Sequence, residues 1–199
     1  MNKSTLAKKL SELQGFSNPK MDYEQYATPS DIAASILHHA HMLGDVEDKR
    51  VFDPGCGPGV LGIGAGLLGA SHVTFLDIDD DALNSLRTNL EGVSFDYEIL
   101  HRPLQAVDAE VTFMNPPFGT KRRHADKQFL LAAMLSSPVV YALLMRESKV
   151  FASQLATENG FACTHAWGFR FPLPNTMSAH KKVESFVDVV VVRLQQQRL

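Results

Sequence analysis

The chain has little of what would staple, anchor or repeat it. Its 199 residues include two cysteines, Cys56 and Cys163. With no Cys-x-x-Cys pair, they argue for a reduced, intracellular protein. No apolar run is long enough to span a bilayer as a helix. The opening Met1-Asn2-Lys3-Ser4-Thr5-Leu6 lacks the apolar core of a secretory signal. The expectation is a cytoplasmic protein. Charge of one sign is also missing: 19 Lys and Arg oppose 22 Asp and Glu, a net of −3. The overall balance therefore does not announce nucleic acid, although the basic residues are clustered and local fields outweigh the sum. There is no internal repeat, low-complexity segment or linker. The length fits one domain, with little room for a separate reader of long nucleic-acid sequence.

What is present is an alternation. Leu6, Leu10 and Leu13 fall at helical spacing within 4–14, and a polar stretch runs from Gly15 to Glu24. Thr28 is the expected N-cap of a second helix, with Pro29 at its first position and Ile32, Ala33, Ile36, Leu37 and Ala40 as its apolar stripe. Strands are expected at 50–53, 72–76, 94–100, 110–114, 139–144, within 161–171, and at 183–194. Helices are expected at 60–68, 80–90, 126–135 and 147–158. This order implies a mostly parallel, doubly wound sheet with helices on both faces. Ligands in such sheets bind beyond the carboxyl ends of the strands.

The first strand runs into Asp53-Pro54-Gly55-Cys56-Gly57-Pro58-Gly59. Glycines between a strand and a helix let the backbone approach a ligand closely. Gly57 to Gly62 formally matches the dinucleotide pattern Gly-x-Gly-x-x-Gly. Asp53 argues against that reading, because a carboxylate repels a pyrophosphate. It could instead hold the ammonium of a methionine moiety, directly or through water, which favours S-adenosylmethionine. Asp77, 22 positions after Gly55, could accept hydrogen bonds from both hydroxyls of a ribose. The alternative is that Asp77, Asp79 and Asp80 merely begin a helix, where acids suit the dipole.

Met114-Asn115-Pro116-Pro117-Phe118-Gly119 follows the fourth strand and is the most specific signal in the chain. An adenine amino group is a poor nucleophile, because its lone pair is delocalised into the ring. The Asn115 side-chain oxygen and the Pro116 carbonyl could each accept one of its hydrogens and aim the lone pair at a methyl group. Prolines pre-aim that carbonyl, and Phe118 offers a ring for stacking. A base in a helix would have to be flipped out to reach it. The alternative is a Pro-Pro turn capping a strand, with Phe118 in the core.

These motifs together resemble the small class I N6-adenine RNA methyltransferases, the archaeal and eukaryotic group that modifies small-subunit ribosomal RNA. The matching stretches are 24–29, 53–61, 77–83, 115–121 and 180–182, spread over roughly residues 22–194. Asn-Pro-Pro-Phe alone is shared with DNA adenine methylases and protein glutamine methylases. Gly119-Thr120-Lys121, with Gln25 and Thr28, is more restricted to the RNA group. The resemblance implies a Rossmann-like, seven-stranded fold and one methyltransferase domain over 1–199, with N-terminal helices in 1–45 and the core in 46–199. It also implies S-adenosylmethionine held by Gln25, Thr28, Asp53, Gly55, Gly57, Pro58, Gly59, Val60, Asp77 and Ile78. Gln25 and Thr28 would take the methionine end, Asp77 the ribose, and Asn115 to Phe118 the target base. Relatives usually carry an Asp after the third strand that bonds the cofactor adenine. Here the stretch reads Leu100-His101-Arg102-Pro103, so backbone groups, Asp96 or Glu98 must serve instead. Eukaryotic relatives work with a small zinc-binding activator, which makes such a partner an expectation.

Lys121, Arg122 and Arg123 adjoin the proposed catalytic loop, and Lys181 and Lys182 precede the last strand. These are the expected phosphate contacts to RNA, while Lys3, Lys8 and Lys9 read as solvated surface. His38, His39 and His41 read as helix-surface histidines rather than metal ligands. Cys56 reads as packing. Trp167, Phe169 and Phe171 are core or pocket wall. Protein glutamine methylation and DNA adenine methylation are the nearest rivals. A dinucleotide-dependent oxidoreductase or a non-catalytic RNA-binding module are the alternatives of other classes.

Overall fold

In the computed structural model, which describes residues 1–117, 125–173 and 185–197, seven strands join one sheet. They are β1 (Arg50–Pro54), β2 (His72–Asp77), β3 (Asp96–His101), β4 (Val111–Met114), β5 (Val139–Met145), β6 (Phe161–Leu173) and β7 (Ser185–Gln196). Their order is β3-β2-β1-β4-β5-β7-β6. β1 to β5 are parallel, and β7 runs antiparallel to both neighbours. This is the doubly wound sheet the alternation implied, with the strand order reversing beside β1. Its last two strands form a long antiparallel ribbon.

Helices α1 (Lys3–Ser11), α2 (Ser30–Met42), α3 (Val60–Leu67) and α4 (Asp80–Asn89) cover one face. Helices α5 (Ala125–Ser136) and α6 (Lys149–Glu158) cover the other. The sequence explains the division. In β5, Tyr141 and Leu143 face the first layer, while Val140, Ala142 and Leu144 face the second. The apolar run of β7 divides likewise, Val189 and Val191 on one side and Val190 and Val192 on the other. A strand buried on both faces needs such a continuous run. Helix α3 is apolar all round because it lies between α2 and the sheet. A methyl on Gly64 would stand 2.3 Å from Leu37, and one on Gly62 the same distance from Phe75.

Between β3 and β4 the chain crosses without a helix. Ala109 packs there over Phe52 and Leu76, with Val107 and Leu100 against them. At the end of the sheet opposite the glycine loop lies a buried polar network. Arg193 Nε donates to Asp45 at 2.7 Å, and the Tyr141 hydroxyl donates to the same carboxylate at 2.6 Å.

The N-cap expected of Thr28 is not formed. Pro29 occupies the capping position of α2 with no side-chain hydrogen bond. The helix starts one residue later than expected, which leaves Thr28 outside the capping position, and its hydroxyl accepts from Asn115 instead. By contrast Asp79 does cap α4, accepting from the Asp81 N–H at 3.3 Å.

Candidate active site

A cavity of about 450 Å³ opens at the carboxyl ends of β1, β2 and β4. That is where a parallel sheet of this order presents its loops, and its volume suits a small organic molecule. Its floor is the loop after β1. Gly55, Gly57 and Gly59 all adopt left-handed φ angles, of 65°, 54° and 89°. The Gly55 and Cys56 N–H groups donate to the Leu76 carbonyl at 2.7 and 3.0 Å, which ties the loop to β2. Two rings close on it. A side chain on Gly57 would come within 2.6 Å of Phe16, and one on Gly55 within 2.9 Å of Phe129. Only glycine permits both approaches.

Two carboxylates face this floor. Asp53 is 2 % exposed and accepts from the Gly62 N–H at 2.8 Å. Burial pushes its carboxyl up to about 7, the Gly62 N–H opposing the rise and the nearby Asp77 charge adding to it. Asp77 accepts from the N–H groups of Gly57 and Asp79 at 2.8 and 2.9 Å. Burial pushes it upward too, against those hydrogen bonds. A pyrophosphate on this loop would meet both carboxylates, and the Gly57 N–H it needs already points to Asp77. The loop suits a cation and a neutral diol, which disfavours the dinucleotide reading.

The roof comes from the segment between α1 and α2, as a strap. Gln14 exchanges hydrogen bonds with Asn89 at 2.8 and 2.9 Å, and Asn89 also donates to the Pro58 carbonyl at 2.9 Å. The Lys20 ammonium pairs with Asp79 and Asp81. Gln25 donates to Asp79 and accepts from the Lys20 N–H, each at 2.7 Å. Burial alone would raise the Asp79 carboxyl, but the Lys20 ammonium and Gln25 amide outweigh it and hold it below its usual range.

The strap ends on Asn115. The Asn115 Nδ2 donates to the Tyr26 carbonyl at 3.1 Å and to the Thr28 hydroxyl at 3.2 Å. A carbonyl only accepts, so the amide nitrogen must face the strap. That leaves Oδ1 buried with no hydrogen-bond partner among the described residues. An unpaired buried amide oxygen costs free energy unless something arrives to donate to it. Asn115 lines the cavity, and its oxygen is the side of the amide left without a bond.

Of the residues expected here, Gln25, Thr28, Asp53, Gly55, Gly57, Pro58, Val60, Asp77, Ile78, Asn115 and Pro117 line the cavity. Gly59 instead caps α3, and Pro116 is buried outside the wall. Phe118, Lys121, Arg122, Arg123, Lys181 and Lys182 lie outside the described residues. Neither Asp96 nor Glu98 replaces the missing adenine-binding acid. Asp96 opens β3, at the far end of the sheet, and Glu98 accepts from the Thr74 hydroxyl. The cavity wall also includes Pro103 and Leu104, an apolar rim. Trp167, Phe169 and Phe171 belong to the core. His39 stacks on Trp167 at 4.9 Å, and among the described residues no three His, Cys, Asp or Glu side chains converge. Cys56 is buried, and burial pushes its thiol well up. Sequence reasoning missed Phe16, Tyr23 and Tyr26 of the strap, and Gln128 and Phe129 of α5. The available signal was Phe16 and Tyr23 within the stretch from Gly15 to Glu24 that reads as polar, and Tyr26 within the matching stretch 24–29.

Residues 26–139 match the family model of the methyltransferase small domain. The chain is 32% identical to the rRNA N(6)-adenosine-methyltransferase METTL5 of Danio rerio, over 92% of this chain and 94% of that one. It is equally identical to the Drosophila melanogaster protein of that name, over 90% of each. A Pyrococcus horikoshii crystal structure, described as that of a candidate RNA methyltransferase, superposes with a TM-score of 0.91 at 36% identity and covers 98% of both chains.

Proposed function

The chain belongs to the methyltransferase small-domain family, and from that premise we propose that it transfers the methyl group of S-adenosylmethionine to the N6 of an adenine in RNA, within the small ribosomal subunit. The observation that carries this reading is the Asn115 amide, locked by its nitrogen and unpaired at its oxygen. The relatives named as rRNA N6-adenosine methyltransferases favour RNA over DNA or a protein glutamine.

The cavity fits the cofactor. Asp53 offers a carboxylate to an ammonium, Asp77 two oxygens to a diol, and the left-handed glycines a floor without side chains. When bound, S-adenosylmethionine supplies an electrophilic methyl group on a sulfonium. The residues of this chain bind and aim. Asn115 Oδ1 accepts one hydrogen of the target amino group, and the Pro116 carbonyl, which lies outside the cavity wall, would have to turn toward the base to accept the other. Both acceptors draw the nitrogen away from conjugation with the ring, so its lone pair becomes available. Phe118 stacks the base, and Lys121, Arg122, Arg123, Lys181 and Lys182 hold phosphates. Catalysis on this account is positioning with fixed hydrogen bonds.

We propose that 1–45 and 46–199 act as one unit, since α1 and α2 pack on each other and on α3, and that the protein works in the cytoplasm. Among the described residues no helix is long and apolar enough to cross a membrane. The expected zinc-binding activator would cover β3, an edge strand on which Tyr97 is 42% exposed. A chain that purifies as a stable monomer and turns over unaided would remove the need for it.

The test is transfer of labelled methyl from S-adenosylmethionine to ribosomal RNA, ribosomal subunits, duplex DNA and protein. N6-methyladenosine in RNA is the expected product. Label in protein glutamine or in DNA would replace this reading with the corresponding rival.

A further inference from the structure

Beyond the end of β5 the last two strands continue as a two-stranded ribbon. Met145, at the end of β5, pairs with Val189. β6 and β7 go on pairing through Arg170 and Asp188, Phe171 and Val187, Pro172 and Phe186, and Leu173 and Ser185. At about 3.3 Å per residue the ribbon rises roughly 13 Å past the sheet edge, at the end where the cofactor cavity opens.

Side chains alternate along it. Phe171, Val187 and Val189 face the first helix layer. Arg170, Pro172 and Phe186 face the side of α5 and α6, as does Val190 below them. On that face Phe186 is 44% exposed, and the Arg170 guanidinium lies over its ring, 4.6 Å from the centroid. Asp188 stands opposite Arg170 in register, yet the guanidinium is laid on the ring. Lower down, Arg146 follows β5 and crosses Gly168. Its Nη2 would stand 3.1 Å from a side chain there. A path therefore leads outward from Asn115 at the end of β4, past Arg146, to Arg170 and Phe186.

We propose that this ribbon is a docking platform for the RNA strand flanking the target adenine. Phe186 stacks a neighbouring base, and Arg170 and Arg146 contact phosphates. The proposal rests on the RNA reading given above. Strand spacing and rise put Phe186 and Arg170 roughly 15–20 Å from Asn115. That is too far to touch the base held by Asn115, and suits nucleotides a few positions away. A ring carrying a guanidinium is a stacking surface with a cation attached, the combination that single-stranded nucleic acid uses without regard to sequence. A pre-formed platform beyond Asn115 gives the domain purchase on RNA shape.

The experiment measures fluorescence anisotropy of a short fluorescein-labelled, adenine-containing single-stranded RNA across a salt series. It compares the full chain with Arg170→Glu and Phe186→Ala, while calorimetry follows S-adenosylmethionine binding. Arg170→Glu should weaken RNA binding about tenfold and make the salt slope shallower by about 0.7. Phe186→Ala should weaken binding at least about fivefold and leave the slope unchanged. Cofactor affinity should be the same in all three. If the unaltered chain binds and methylates RNA while both variants match its affinity and slope, the platform is overturned and the functional reading stands. If the unaltered chain neither binds nor methylates RNA, both fall. If the variants keep RNA affinity and lose only methylation of a protein substrate, the ribbon is a protein-docking face and the proposal is wrong.

Discussion

Thr28 and Asn115, 87 residues apart in sequence, meet at 3.2 Å, hydroxyl to amide nitrogen. The contact joins the roof of the cavity to the residue proposed to hold the target amino group.

Thr28→Ala removes one of the two acceptors that orient the Asn115 amide. The Tyr26 carbonyl remains. A neutral hydrogen bond is worth about 1 kcal/mol, so kcat should fall roughly five- to tenfold. KM for the methyl donor should change less, and Thr28→Ser should restore kcat to within about twofold. Steady-state kinetics separating the two constants checks this. A variant that loses cofactor affinity and keeps kcat would make Thr28 a cofactor ligand only.

Asp53 gives a pH dependence with a definite sign. Its carboxyl rises from 3.8 to about 7 on folding, chiefly through burial. Between those values the folded chain holds a proton that the unfolded chain has released. The stability contributed by neutral Asp53 is therefore greatest at low pH and declines as pH rises toward 7. Asp53→Asn keeps an acceptor for Gly62 and cannot ionise. Its melting temperature relative to the unaltered chain should climb from pH 4 to 7 and then level. Cofactor binding should run the other way. Only ionised Asp53 attracts an ammonium, so affinity rises with pH through about 7 in the unaltered chain and stays flat in Asp53→Asn. Melts and calorimetry across that range check both, and a pH-independent difference contradicts the assignment.

Arg193 tests the scaffold apart from the site. It is 6% exposed and donates to Asp45 and the Tyr141 hydroxyl. Arg193→Met strands the Asp45 carboxylate, so unfolding should become easier by about 3–5 kcal/mol. Denaturant titration measures this. Because the network lies at the sheet end opposite the cavity, kcat well below the melting temperature should be unchanged.

Much of this was legible in the chain because it depends on short-range pattern. The alternation of apolar strands with helices fixed the sheet, and the Asp53 to Gly59 loop fixed where a ligand approaches. The apolar run at 183–194 announced the last strand, and the structure buries Val189 to Val192 on both of its faces. What could not be read depends on contacts across long sequence separations. Phe16 and Phe129 become cavity walls only because they fold onto Gly57 and Gly55. Gly15 to Glu24 of the strap looked like a polar connector, and although the resemblance gave Gln25 and Thr28 a role, their partners Asp79 and Asn115 are 54 or more residues away. Asp96 and Glu98 looked available as adenine ligands until strand register put Asp96 at the wrong end of the sheet and Glu98 on Thr74.

The central claim is that the free oxygen of Asn115 holds the amino group that is methylated. The most direct measurement is single-turnover formation of N6-methyladenosine in ribosomal RNA by the unaltered chain and by Asn115→Ala, with S-adenosylmethionine affinity measured on both. The account predicts a loss of about 10²–10³ in the methyl-transfer rate, as for removal of one pre-aimed catalytic hydrogen-bonding group, with cofactor affinity nearly unchanged. Methylation by Asn115→Ala at close to the normal rate would contradict it.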